Sequence, residues 1–310
     1  MTSRRGPARL HDGKKRVSSI AVMCLVNDNE NWLRHDAFPA FREAERLYFP
    51  RTRFSYYFYE NGSKDATVSL IRDFLQEKDE TRRAGRLVRG PDHGGRCSTR
   101  SDFGTTYERT RRMSDLRNAL LLSLRPLRED WALLIDSDIR FQPRIFETLF
   151  DCRPAKKQIG MLTAFTTMLD EGGQDTGHYY DTYAFLDSNS RNYRPSCVFT
   201  ECPVCCTEDE KNPYKRPAHL LSSSPNGNSL VSVACFPPDD VLEVKSAYAG
   251  FALVSSDVLN HPRVEWDTID CKDASYGTCE HALFCIGVYK ATGKRVAAAP
   301  GTKGQAFWSR

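Results

Sequence analysis

Short apolar runs alternate with amphipathic stretches through the first half of the chain, and that rhythm restricts the fold more than any other feature. Residues 18–26 (SSIAVMCLV), 53–60 (RFSYYFYE), 85–90 (GRLVRG), 131–135 (WALLI) and 159–165 (IGMLTAF) are bounded by polar or turn residues. Their length and side chains predict strands. Between them, residues 32–48, 65–78, 111–124 and 143–150 read as helices. Val68, Ile71 and Leu75 share one helical face, as do Met113, Leu116, Leu120 and Leu124. Pro39 must kink or interrupt the first of these helices, whereas Pro143 suits a first helical turn. Strand and helix in alternation predict an α/β fold with a mostly parallel central sheet flanked by helices.

The second half is less regular. Residues 207–229 carry three prolines and many polar side chains, which predicts a long surface loop and a candidate lid. Strand character returns at 242–256, a helix is expected over 277–293 with Gly293 ending it, and 295–299 reads as a last strand. There is no internal repeat and no clean boundary. The expectation is a disordered basic arm over 1–16 and one domain over 17–310, with a first half at 17–150 and a second, loop-rich half at 151–310.

Several classes of function receive no support. A formal net charge of +4 on 310 residues gives no case for nucleic-acid binding. No apolar run approaches the ~18 residues of a membrane span. The basic arm followed by VSSIAVMCLV has the order of a signal peptide, but two serines interrupt the run and NDNENW replaces a small-residue cleavage site. The reading is a core strand behind a loose tail, and a soluble cytoplasmic protein. Cys24 fits a core strand. CPVCC at 202–206 is half of a zinc pattern with no clean second pair, which leaves zinc, disulfides and free thiols all open for the eleven cysteines.

The chemistry starts where WALLI runs into Asp136 and Asp138. In an open α/β sheet, ligands gather at the carboxyl ends of strands. Two carboxylates there, projecting to one side of an extended segment, suit Mg²⁺ or Mn²⁺ with coordination positions open to substrate phosphates. The alternative is one aspartate capping the next helix and the other pairing with Arg140 or Arg144. YFYENGSKDAT ends another strand with Glu60, Asn61, Ser63 and Asp65, polar groups suited to a base or ribose, or to plain turn and cap chemistry. Arg117, on the rim of an apolar helix face, either reaches a phosphate or braces an aspartate, or else sits on the surface.

Taken in order, these segments resemble a GT-A glycosyltransferase with a D-x-D motif. IAVMCLV resembles its first strand, ENGSKDAT its nucleotide-contacting turn, LRN its arginine–asparagine helix and LLIDSD its metal strand. YAGFALVSSDVL, with Gly250, resembles the strand and turn facing the donor sugar, and TCEH the helix that carries an acidic base. The resemblance spans residues 18–300, and YYDTYAFLD is further similar to fungal capsule-type mannosyltransferases and their relatives in large DNA viruses, or else a packed aromatic strand.

The resemblance implies a GT-A (Rossmann-like) fold and sugar transfer from a UDP- or GDP-sugar to a glycan or glycoprotein acceptor, assisted by Mn²⁺ or Mg²⁺. It implies that Asp138 binds the cation directly and Asp136 binds it through water or contacts the ribose. Glu60, Asn61, Asp65 and Arg117 would serve the nucleotide, and Glu280 would be the base of an inverting reaction. Glu280 is otherwise a glutamate favoured by the helix dipole, which would also lower its pKa and weaken it as a base. His281 is either a third metal ligand or a core histidine. The chain departs from many members in lacking a histidine near its C-terminus, where only Trp308 and polar residues stand. Two other readings remain. A sugar nucleotidyltransferase would need a glycine-rich loop after the first strand, and a cysteine-organised zinc module would be no enzyme.

Overall fold

The computed structural model describes residues 19–77, 84–90, 107–152, 158–179, 184, 186–187, 221–223, 229–231, 241–268, 279–302 and 304–308. The basic arm, the 197–206 cysteines and most of the 179–187 and 207–229 segments lie outside the described residues.

The strands in chain order are β1 Ser19–Val26, β2 Arg53–Glu60, β3 Ala84–Arg89, β4 Trp131–Ile135, β5 Ile139–Phe141, β6 Ile159–Ala164, β7 Thr167–Leu169 and β8 Asp175–Tyr179. They continue with β9 Leu186–Asp187, β10 Leu221–Ser223, β11 Ser229–Val231, β12 Leu242–Ser246, β13 Phe251–Ser255, β14 Arg295–Ala299 and β15 Ala306–Trp308. The helices are α1 Glu30–Trp32, α2 Phe38–Tyr48, α3 Thr67–Gln76, α4 Tyr107–Leu124, α5 Ile145–Cys152, α6 Ser256–Leu259 and α7 Glu280–Thr292.

Nine strands form the central sheet in the order β3-β2-β1-β4-β13-β6-β14-β12-β9. β1, β2, β3 and β4 are mutually parallel, β6 and β14 are parallel, and only β12 and β13 run against the rest. The expected mostly parallel α/β sheet is therefore present. A second sheet, β5-β15-β7-β8, sits at the exit of β4, and β10, within the 207–229 segment expected to be a loop, pairs with β11 at its end. No helix among the described residues is long and apolar enough to cross a membrane.

Two cores sandwich the sheet. Side chains alternate along each strand, so Ala21 and Met23 of β1 face one core while Ile20, Val22 and Cys24 face the other. The first core is closed by α4 and α7, through Leu116, Leu120, Phe284 and Val288. The second is closed by α2, α3 and α5, through Phe41, Ile71 and Phe146.

The break expected at Pro39 takes the form of a π turn. Leu33–Ala37 is π-helical, and the Phe38 N–H bonds to the Leu33 carbonyl. The wider turn carries the chain into α2, where Pro39 sits in the first turn and its missing N–H costs nothing. The strand character expected over 242–256 is divided between β12 and β13, which lie in different parts of the sheet. Gly250 turns the chain between them at φ +74, a conformation that favours glycine.

Candidate active site

β1, β2 and β4 end together at one edge of the sheet, and their following loops interlock. Asp28 Oδ1 accepts from the Lys64 N–H (2.7 Å), the Glu30 N–H donates to Asp65 Oδ2 (3.0 Å), and the Asn29 N–H donates to Thr67 Oγ1 (2.8 Å). Asn29 Nδ2 reaches the Ser137 carbonyl at 3.4 Å, tying these loops to the aspartate segment. Glu60 is buried and its carboxylate accepts from the Ser63 N–H, while Asp65 Oδ1 accepts from the Thr67 N–H at the start of α3 (2.9 Å). Glu60 and Asp65 thus build the turn at this edge. Asn61 stands beside them, its carbonyl accepting from Asn27 Nδ2 at 2.7 Å.

Asp136 and Asp138 do not lie on an extended segment. The Ile139 N–H bonds back to the Asp136 carbonyl (3.2 Å), so 136–139 is a turn that feeds β5. The Asp136 N–H is held by the Gly250 carbonyl at 2.9 Å. A Cβ on Gly250 would stand 2.5 Å from Ile139 Cγ1, so only glycine permits this approach.

The two carboxylates have different surroundings. Asp136 Oδ1 accepts from Arg117 Nη1 (3.1 Å) and from the Tyr248 hydroxyl (3.2 Å). Asp138 is exposed and makes no ion pair among the described residues; Trp308 Nε1 donates to its Oδ2 at 2.9 Å. Crowding by protein atoms and the charge of Asp136 push the Asp138 carboxyl up to about 6. Exposure to water screens part of that push, so its direction is what matters: the ionised form of Asp138 is disfavoured, and Arg117 and the Trp308 N–H offset this only in part. The alternative partners do not serve here. Arg140 pairs instead with Asp36 at 3.2 Å, and the acidic pair is braced by Arg117 from α4.

Arg117 is buried, not a surface arginine, and it organises a cluster at the sheet edge. Besides Asp136, it faces Glu280 Oε1 (Nε at 3.8 Å) and bonds His281 Nε2 (Nη2 at 3.1 Å). Burial opposes its charge, but Asp136, with Tyr248 and Glu280, outweighs this and raises its pKa. Burial, reinforced by Arg117, drives the His281 pKa well down, so the ring is neutral and Nε2 accepts from the guanidinium. Tyr248 stacks on the imidazole at 3.8 Å. The Nε2 lone pair of His281, expected either to bind a metal or to sit in the core, thus faces a fixed cation. Glu280 opens α7 after Cys279, and its pKa is raised by burial despite the helix N-terminus and Arg117. The dipole expectation fails because desolvation is the larger effect here.

Arg117 Nε, Trp266 Nε1 and His281 Nδ1 are buried without a hydrogen-bond partner among the described residues. Arg117 and Trp266 line a small cavity between α4 and the sheet, with Leu120 and Tyr248. Orphan donors of this kind call for an acceptor oxygen from water or ligand. No group of three or more His, Cys, Asp or Glu side chains among the described residues is arranged to hold a metal. A hard cation at Asp138, with Asp136 beside it, would complete its shell from water and phosphate oxygens, as Mg²⁺ and Mn²⁺ do. The donor set therefore fits such an ion.

Tyr248 and Trp308 were not legible as site residues. No family model and no curated protein matches the chain. Similar solved structures include a mannosyltransferase from Pyrobaculum calidifontis in complex with GDP-Man and Mn²⁺ (13% identity, TM-score 0.32, covering 49% of this chain and 36% of that one). Glucosyl-3-phosphoglycerate synthase from Mycobacterium tuberculosis in complex with UDP is another (16%, TM-score 0.30, 48% and 45%). So is GalNAc-T7 with UDP, GalNAc and Mn²⁺ (8%, TM-score 0.47, 95% and 44%). The chain spans less than half the length of each of these three proteins.

Proposed function

We propose that the chain is a glycosyltransferase of GT-A type that moves a sugar from a UDP- or GDP-sugar to a hydroxyl of a glycan or glycoprotein acceptor, with Mn²⁺ or Mg²⁺. The observation that carries this reading is the pair of unlike aspartates at the carboxyl end of β4. Asp136 is paired with Arg117, and Asp138 makes no ion pair among the described residues. When bound at Asp138 and Asp136, the cation supplies positive charge to a diphosphate leaving group.

The remaining roles belong to the chain. Arg117 fixes Asp136 and, through His281 Nε2, holds the start of α7 in place. Glu280, its proton affinity raised by burial, is suited to take the acceptor hydroxyl proton as the acceptor oxygen bonds to the anomeric carbon and the bond to the diphosphate breaks. The interlocked loops with Glu60, Asn61 and Asp65 form the rim where the nucleoside would rest, and the Gly250 turn faces the sugar.

A sugar nucleotidyltransferase is disfavoured by the loop after β1. The N–H groups of residues 27–30 are spent on Asn29 Oδ1, Ser63 Oγ, Thr67 Oγ1 and Asp65 Oδ2, leaving none there to cradle a triphosphate. The test is a panel of UDP- and GDP-sugars with Mn²⁺, scored by release of UDP or GDP. Release from one donor, lost in EDTA, is expected. Release of pyrophosphate from a nucleoside triphosphate and a sugar phosphate would overturn the proposal.

A further inference from the structure

Trp308 stands 170 positions from Asp138 in sequence, yet its indole N–H donates to Asp138 Oδ2 at 2.9 Å. β15, which carries Trp308, lies between β5 and β7, with Trp308 opposite Ile139 on one side and Met168 on the other. β5 is the strand that leaves the aspartate turn. It is gripped again by the Gln142 N–H to the Gln305 carbonyl (2.7 Å) and by Trp32 Nε1 to the Ile139 carbonyl (2.8 Å). The end of the chain is thereby sewn to the turn, and the indole comes to the carboxylate on a fixed strand.

An indole N–H is a donor with no lone pair to give a metal. It orients a carboxylate without competing for the ion, and by engaging one lone pair of Oδ2 it makes Oδ1 the freer oxygen to meet a cation. Partners of this kind fix the direction and basicity of metal-binding groups. We infer that Trp308 is a positioning residue of the cation site, holding Asp138 so that it presents a single oxygen. The C-terminal strand, which offers no ligand of its own among the described residues, thus contributes to the site by aiming one. The inference rests on the reading of Asp136 and Asp138 as a cation site.

The experiment measures binding of Mn²⁺ alone, and of Mn²⁺ with UDP or GDP, from the free-ion paramagnetic resonance signal. It compares the wild-type protein, Trp308→Phe and Asp138→Asn. Asp138→Asn should lose Mn²⁺ binding. Trp308→Phe should bind Mn²⁺ roughly 10- to 100-fold more weakly, with turnover restored at saturating Mn²⁺ and the melting temperature nearly unchanged. A merely structural tryptophan would lower the melting temperature and turnover at every Mn²⁺ concentration. If Asp138→Asn retains Mn²⁺, the cation-site reading itself falls. If Asp138→Asn loses Mn²⁺ while Trp308→Phe binds it normally, only the role of Trp308 falls. Should Trp308→Phe not fold, the indole N–H resonances of the unsubstituted protein decide. With four tryptophans in the chain, one resonance should move on adding Mg²⁺ and none should move in Asp138→Asn; no movement in either protein overturns the inference.

Discussion

Against one face of the central sheet lie α2, α3 and α5, and aromatic rings dominate the contact. Phe38 stacks on Phe74 at 4.0 Å, Phe74 meets Tyr56 edge-on at 5.0 Å, and Phe41 meets Tyr56 at 5.2 Å. Against the other face lie α4 and α7, which also bury apolar side chains but bring in Arg117, Glu280 and His281 near the strand ends. Packing an aromatic face costs little beyond chain entropy. Burying a guanidinium and a carboxylate costs several kcal/mol per ion before pairing. The contrast teaches that the α4–α7 face accepts a stability cost the aromatic face avoids, and it does so beside the turn that presents Asp138.

The strongest way to break this comparison is Asp138→Ala. All transfer and all metal-dependent nucleotide binding should vanish with the fold intact, since one exposed side chain is removed. Nucleotide release and calorimetry check this, and full activity, in the variant or in wild-type protein with excess EDTA, would sink the assignment of the cation site.

Glu280→Gln should lower turnover by roughly 10²–10⁴ while donor affinity moves little. The pH profile sharpens the point. Glu280 holds its proton more tightly folded than unfolded, so its contribution to stability is present at acid pH and is lost as pH rises through the raised folded pKa. Catalysis needs the opposite, ionised form, so turnover should fall with acidification from a pH above the ordinary glutamate range. A profile that Glu280→Gln leaves unchanged would point to another base or to a retaining reaction.

Arg117→Met should harm both properties together. It leaves Asp136 without its partner, at a cost of about 3–5 kcal/mol in melting experiments, and it frees His281 and the start of α7, so turnover of the folded fraction should fall too. Stability lost with turnover intact would make Arg117 purely architectural. Phe41→Ala on the opposite face should also cost about 3–5 kcal/mol, but turnover per folded molecule should be unchanged. A specific loss of turnover there would erase the distinction between the two faces.

Much of this division was readable from residue order. β2 and β4 fall where aromatic and apolar runs predicted them, and Gly293, at φ +68, ends α7 as expected. The acidic pair after WALLI and the arginine on the α4 face also stood out, because strand ends and helix rims are set by local pattern. Tyr248 and Trp308 did not, since each acquires its role by touching an aspartate 112 or 170 positions away, and no local periodicity records such a contact.

The sequence by itself determined the alternation of strands and helices, the placing of two carboxylates at a strand end, and the glycine that ends α7. Those follow from backbone preference and from side chains within a few residues of each other. Only the tertiary structure decided that Asp136 would be paired with Arg117 and Asp138 left without an ion pair among the described residues. It also decided that His281 would face a guanidinium, and that burial would raise the Glu280 pKa where a helix terminus alone would lower it. Charge, desolvation and hydrogen bonding act through space, and the distances that set their balance exist only once α4, α7 and the C-terminal strand have closed on the end of β4.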